Sequence, residues 1–217
     1  MKKVLLLLVC LIGMTLAHAQ TYTIYPIPQQ TTEGSGTVEL TPTINVVCGS
    51  GIGHVTKDRI QEVLEAAGYT FQLSESASSE LTNLYVGVAG SGDVADAYAT
   101  SRGVSKEVFT EAPNRFDAHV MQIADGNIVV LGNGERSEYY AFATLEQILE
   151  QAAGTALHEV TYEDYSHCQW RGAIEGFYGN PYSVDAHCSL FEFFKRFKMN
   201  VFIYAPKMDP YHLGYWT

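Results

Sequence analysis

Two short apolar runs, each ending in polar, aromatic and glycine or proline residues, constrain this chain more than anything else in it. The first is Arg171-Gly172-Ala173-Ile174-Glu175-Gly176-Phe177-Tyr178-Gly179-Asn180-Pro181-Tyr182-Ser183. The second is Lys198-Met199-Asn200-Val201-Phe202-Ile203-Tyr204-Ala205-Pro206-Lys207-Met208-Asp209-Pro210-Tyr211-His212. A helical pattern lies between them. Strand, helix and strand, with polar and aromatic residues at the strand ends, predict the way a (β/α)8 barrel begins; in such barrels functional groups collect where the strands finish. Residues 168–217 are therefore expected to hold the first two strands of a TIM barrel, truncated before its middle.

The N-terminus has the form of an export signal. Lys2 and Lys3 precede an uncharged stretch from Val4 to Leu16, and Ala17-His18-Ala19 is a small-x-small cleavage site. Residues 1–19 are expected to be removed, leaving a periplasmic or secreted protein without stable membrane insertion; the apolar run is short for a transmembrane span. Val9 before Cys10 is bulky where a lipoprotein site needs a small residue. The formal charge of −11 argues against a phosphate-backbone partner, so no nucleic acid is expected. Cys48, Cys168 and Cys188 follow the cleavage site. Their spacing matches no zinc site, and neither metal nor cofactor is expected. A Cys168–Cys188 bridge and unpaired buried thiols both remain open.

Residues 20–160 read as a non-catalytic α+β domain, an antiparallel-rich sheet with helices on one face. Tyr22, Ile24 and Ile27 suggest a first strand, Thr31 to Gly36 a turn or loop, and Ile44 to Cys48 a second strand. Gly49-Ser50-Gly51-Ile52-Gly53 has a phosphate-turn look, but it lacks the G-x-G-x-x-G spacing, so a flexible strand-to-helix connection is the better account. Helical spacing covers Val55 to Ala67 and ends at Gly68. Shorter strands follow at Phe71–Leu73 and Leu84–Val88, then a short helix at Asp93–Ala99. Asp117–Ile123 and Ile128–Leu131 flank Asp125-Gly126-Asn127, a strong hairpin signal. A long helix is expected over Ser137–Gln151.

The helix segment from Gly134 to Leu149 resembles the end of the non-catalytic domain that precedes the barrel in many exported hexosaminidases. More specifically, Arg171–Ser183 and Lys198–His212 together resemble the start of the catalytic barrel of family 84 glycoside hydrolases, the retaining β-N-acetylglucosaminidases that include O-GlcNAcases and hyaluronidase-like bacterial enzymes. The resemblance implies a terminal β-GlcNAc glycan or glycoconjugate as partner. It also implies two substrate-binding residues. Gly176 matches a glycine whose backbone contacts the bound sugar, and Lys207 matches a lysine that hydrogen-bonds it. Met208 stands where the family commonly has Asp, with Asp209 after it. Without the resemblance, a tight turn in a βα-loop is the alternative reading of Gly176, and a solvated surface lysine that of Lys207. Tyr204 is read chiefly as core, Asp209 as structural, and Phe177, Tyr178 and Tyr182 as mouth or loop residues.

In the resembled family the substrate's acetamido oxygen is the nucleophile. One Asp polarises it and the adjacent Asp acts as general acid and then base, both at the end of the fourth strand. No Asp-Asp pair occurs in these 217 residues. Catalytic residues are therefore assigned to none, and the chain alone is expected to be inactive. The alternative reading is a non-catalytic GlcNAc-binding or structural module.

Overall fold

A computed structural model of the chain describes residues 22–110, 112–134, 136–176 and 181–205. Residues 30–166 build a seven-stranded sheet. Its elements are β1 (Gln30–Glu39), β2 (Thr43–Cys48), α1 (His54–Ala66), β3 (Thr70–Ser74), β4 (Asn83–Val88), α2 (Val94–Ser101), a short 3-10 turn at Glu107–Phe109, β5 (Phe116–Ala124), β6 (Asn127–Gly132), α3 (Ser137–Gln151) and β7 (Ala156–Ser166). The strand order is β1-β7-β5-β6-β4-β2-β3.

The sheet is mixed, which corrects the expectation of an antiparallel-rich one. β1, β7, β5 and β6 pair antiparallel, whereas β6, β4, β2 and β3 pair parallel. Side-chain alternation reports which face a residue takes, not which way its neighbour runs. Here the helical crossovers α1 and α2 decide the direction. The helices also cover both faces, not one. Val46, Leu84, Val86, Ile128 and Val130 point to the side of α1 and α3, where Ile60, Leu64, Phe142 and Leu145 meet them. Val47, Tyr85, Val129 and Leu131 point the other way, onto Ala95 and Ala99 of α2. Burial on both faces explains the near-continuous apolar composition of β2, β4 and β6.

The expected strand at Tyr22–Ile27 is not one. This segment runs along α3, where two glutamines one turn apart replace a strand partner. Gln151 accepts from Thr23 N–H and donates to its carbonyl, both at 2.9 Å. Gln147 does the same for Tyr25, at 2.9 and 2.7 Å. The backbone demand that makes strands pair is thereby met by side chains. Conversely, the expected loop at Thr31–Gly36 lies in β1, an exposed edge strand paired with β7. Glu159 of β7 folds over Gly34 and Gly36 and accepts from Gly36 N–H at 3.1 Å. The glycine turn after β2 is filled by the protein's own anion. The Asp93 carboxylate, which caps α2, lies where a Cβ on Gly49 would stand. That supports the connection reading over a phosphate turn.

After β7 comes a separate parallel pair, β8 (Gly172–Ile174) and β9 (Val201–Ile203), joined by α4 (Val184–Arg196). Ser183 caps α4, accepting from Ala186 N–H at 3.2 Å. Phe191 and Phe194 pack on Phe202 of β9. The opposite face carries Ile174 and Ile203, paired in register and 66% and 47% exposed. α4 docks on the sheet domain through ion pairs. Arg196 meets both oxygens of Glu150 at 2.7 Å, and Lys195 pairs with Glu62, which with Glu146 also holds the buried Arg59.

Gly172 is required where β8 meets β9, because a Cβ there would collide with the Val201 carbonyl. Gly172→Ala is expected to cost about 1–3 kcal/mol through overpacking. Hydrogen exchange should show it as lost amide protection confined to β8 and β9; unchanged protection would contradict this packing.

Candidate functional site

The two ends of the β8–β9 pair carry different chemistry. At the N-terminal end the pair is fastened to the sheet. Arg171 donates from Nε to the Lys198 carbonyl at 2.9 Å, from Nη1 to the Cys168 carbonyl at 2.8 Å and from Nη2 to Asp117 at 2.7 Å. Its guanidinium also sits 5.3 Å from the centre of the Tyr140 ring. Asn200 accepts from Arg171 N–H at 2.8 Å and donates its own N–H to the Arg171 carbonyl at 2.7 Å.

Beneath this clasp Lys198 is buried, with Nζ 2.7 Å from Asp164 and 3.3 Å from His119 Nε2. His119 Nδ1 lies 2.8 Å from the Asp117 carbonyl. A carbonyl only accepts, so Nδ1 carries the proton and Nε2 offers its lone pair to the ammonium. Lys198 ends α4 with φ 56°, in a turn where Met199 N–H reaches back to the Phe194 carbonyl at 2.9 Å. Glycine would suit that backbone better, but only lysine brings a cation to Asp164. Asp117, at φ 55°, sits at a register shift between Phe116 and His119 in the β5–β7 ladder, which brings its side chain to Arg171. These groups line a cavity of about 160 Å³. Two cations face two carboxylates there, so the arrangement is a fastener with no unmatched charge to attract a ligand.

Burial drives the pKa of Lys198 down, and Asp164 pulls it back up. Desolvation, with Lys198 adding to it, holds His119 at about 4. In the first turn of α3 Glu138 is buried against Gly132 with Oε1 unpartnered. Desolvation raises its pKa to about 7.

At the C-terminal end, β8 runs into Glu175 and Gly176 and β9 into Tyr204. Gly176 is exposed at this end. Glu175 is 3% exposed; it accepts from Tyr182 N–H at 2.6 Å and pairs with His187 Nε2 at 2.5 Å. Tyr182 and Tyr204 are 57% and 48% exposed in this chain. Lys207, with Phe177, Tyr178, Met208 and Asp209, lies outside the described residues. Cys168 and Cys188 are unbridged and exposed, and Cys48 is a partly buried free thiol. Among the described residues no three acidic, His or Cys side chains are grouped to hold a metal, and no helix is long and apolar enough to cross a membrane.

Comparison with known proteins follows the same division of the chain. Residues 171–217 match the family described as beta-N-acetylglucosaminidase. Residues 21–165 match glycosyl hydrolase family 20, domain 2. The chain belongs to the glycosyl hydrolase family 20 domain 2 family. It is a hexosaminidase domain of the family 84 type. The solved structure of CpGH84D is 38% identical with a TM-score of 0.84, covering 91% of this chain and 33% of that one. CpGH84B is 23% identical with a TM-score of 0.65, covering 88% of this chain and 31% of its own. Protein O-GlcNAcase of Rattus norvegicus is 38% identical over 45 residues, 21% of this chain and 5% of that protein. The chain thus spans about a third of the solved relatives.

The hexosaminidase domain and its βαβ segment meet at residues that the sequence reading passed over. Asp164 continues the alternation of Val160 and Tyr162 on one face of β7, so an acid in an apolar row was the available signal. His119, among buried neighbours in β5, was the second.

The His119 and Glu138 shifts act in opposite directions. His119 is depressed, so its contribution is complete above pH ~6.5 and drains away toward pH 4, by about 3 kcal/mol at most. Glu138 is raised, so its contribution is complete below about pH 4.5 and drains away toward pH 7. In a Glu138→Gln chain, urea unfolding should show stability falling as pH drops through the histidine window, and His119→Gln should remove most of that slope. A slope unaffected by His119→Gln would contradict the assignment.

Proposed function

We propose that this chain provides the front of an exported, retaining β-N-acetylglucosaminidase of the family 84 type. In this reading residues 1–19 direct export, residues 20–160 form the non-catalytic domain, and residues 168–217 supply the first two strands of a (β/α)8 barrel. The observation that carries the proposal is the parallel β8–α4–β9 unit, which brings Gly176 and Tyr204 to one end, in a segment matching the beta-N-acetylglucosaminidase family. Functional groups of barrel enzymes gather at that end of the strands. The open, apolar Ile174–Ile203 face supports the barrel reading, since a parallel pair is ordinarily covered on both faces.

Within such a barrel, Gly176 offers backbone to the sugar at a distance a Cβ would prevent, and Lys207 offers a cationic donor. The bound partner is a terminal β-GlcNAc residue on a glycan or glycoconjugate. Protonating the leaving oxygen and polarising the acetamide need an adjacent Asp pair that these 217 residues do not contain. Loss of one general acid–base group lowers a rate by ~10²–10⁴; here both are missing. Glu175 is no substitute, because it is buried and both oxygens are engaged.

The purified chain is expected to leave a chromogenic β-N-acetylglucosaminide intact, and N-acetylglucosamine should shift the Gly176 amide in an NMR titration. Lys207→Ala should weaken that response. Turnover by the chain alone would refute the division of labour, and an unmoved Gly176 amide would refute the sugar contact.

A further inference from the structure

We propose that Glu175 and His187 are positioning residues that pin the Gly176 backbone, tying the end of β8 to the first turns of α4 and to Tyr182. The inference rests on Gly176 being a sugar contact, as argued above. A backbone contact has no side chain with which to adapt. Its position is set entirely by what holds the residues beside it, and small displacements of a recognition group are costly.

Glu175, the residue immediately before Gly176, is held in three directions. Its own N–H donates to the Ile203 carbonyl at 2.9 Å, extending the β8–β9 ladder by one bond. Oε1 accepts from Tyr182 N–H at 2.6 Å, across a separation of seven residues. Oε2 receives His187 Nε2–H at 2.5 Å. A carboxylate facing Nε2 requires that nitrogen to carry the proton. His187 is fixed in turn. Its N–H donates to the Ser183 carbonyl at 3.0 Å, the bond that opens α4. Its ring lies among Phe202, Tyr204, Tyr182 and Phe191, with centroids 5.6, 5.9, 6.1 and 6.3 Å away. The imidazole cannot swing from Glu175 without breaking those ring contacts. Hydrogen bonds to a carboxylate are short and about twice as strong as neutral ones, so Glu175 joins α4 and Tyr182 to β8 through its carboxyl group and β9 through its backbone N–H.

The pair is not an acid–base dyad for the reaction. Glu175 is 3% exposed, and its two oxygens are already occupied by protein donors. Its chemistry is directed inward, at the frame of the site.

Hydrogen exchange and N-acetylglucosamine titration on the 15N-labelled full chain separate this inference from the sugar reading. In His187→Ala, exchange of the Tyr182 amide should accelerate on the order of tenfold, while amides of Phe194 and Arg196 stay as in the parent. His187→Arg restores an N–H donor to Glu175 and should return Tyr182 to parental protection. Glu175→Gln, which keeps the shape, should fall between them. Equal Tyr182 exchange in His187→Ala and the parent would overturn the pin. Failure of His187→Arg to rescue would overturn it too, since ring packing alone would then be the cause. A sugar response at Gly176 that survives His187→Ala undiminished would overturn the positioning role and leave the sugar contact standing. Loss of Tyr182 protection in a chain whose parent shows no sugar response would refute the sugar contact, and with it positioning for that purpose.

Discussion

Lys198 and Asp164 face each other across 2.7 Å with almost no access to water. Neither charge is tolerable there alone, because an ion moved out of water needs a close counter-ion and further hydrogen bonds to remain charged. Lys198 lies between α4 and β9; Asp164 lies in β7 of the sheet. The pair therefore exists only when the βαβ unit is seated on the sheet domain. His119 completes the pocket by offering a lone pair to the ammonium, which it can do only as the neutral Nδ1–H tautomer. Arg171 repeats the connection one layer out, gripping Asp117 of the sheet and the Lys198 carbonyl. Asn200 then ties the starts of β8 and β9 to each other.

This places the mechanical anchor and the proposed sugar edge at opposite ends of two three-residue strands. Strands this short have little independent stability, so the seating of the whole β8–β9 pair on the sheet is inherited from the anchored end, while the Glu175–His187 contact fixes Gly176 within that pair. A second support, the Arg196–Glu150 and Lys195–Glu62 pairs, holds α4 against α1 and α3. Those contacts are exposed and contribute little individually. The buried pair sets the geometry and the surface pairs steady it.

Much of this arrangement was legible in the sequence, for identifiable reasons. The Asp125-Gly126 turn demands φ above zero at both positions, and the backbone adopts 51° and 75°. The helix over Ser137–Gln151 has an apolar stripe long enough to be unambiguous. The β8–α4–β9 unit followed from two apolar runs, one ended by Gly176 and the other by Pro206, around a helical repeat. What escaped were features whose cause lies far away in the chain. β1 is polar and glycine-rich, and its strand form depends on β7, over a hundred residues later. Tyr22–Ile27 has strand-like residues but is satisfied by Gln147 and Gln151. The mixed direction of the sheet comes from crossover helices, which periodicity does not report. At the site, the glycine was legible as a strand-end feature. The Glu175–His187 pair was not, since a lone acid and a histidine twelve residues apart meet only once α4 has folded back onto β8.

The most direct test of the account is a double-mutant cycle between Asp164 and Lys198, using Asp164→Ala and Lys198→Met, read by urea unfolding together with amide protection in β8 and β9. Each single change should cost about 3–5 kcal/mol, because it strands the other charge in a buried site. The double change should cost less than the sum by ~2 kcal/mol or more, with protection partly restored. Effects that add to within ~0.5 kcal/mol, or single variants that leave β8 and β9 fully protected, would show that the buried pair does not hold the βαβ unit in place.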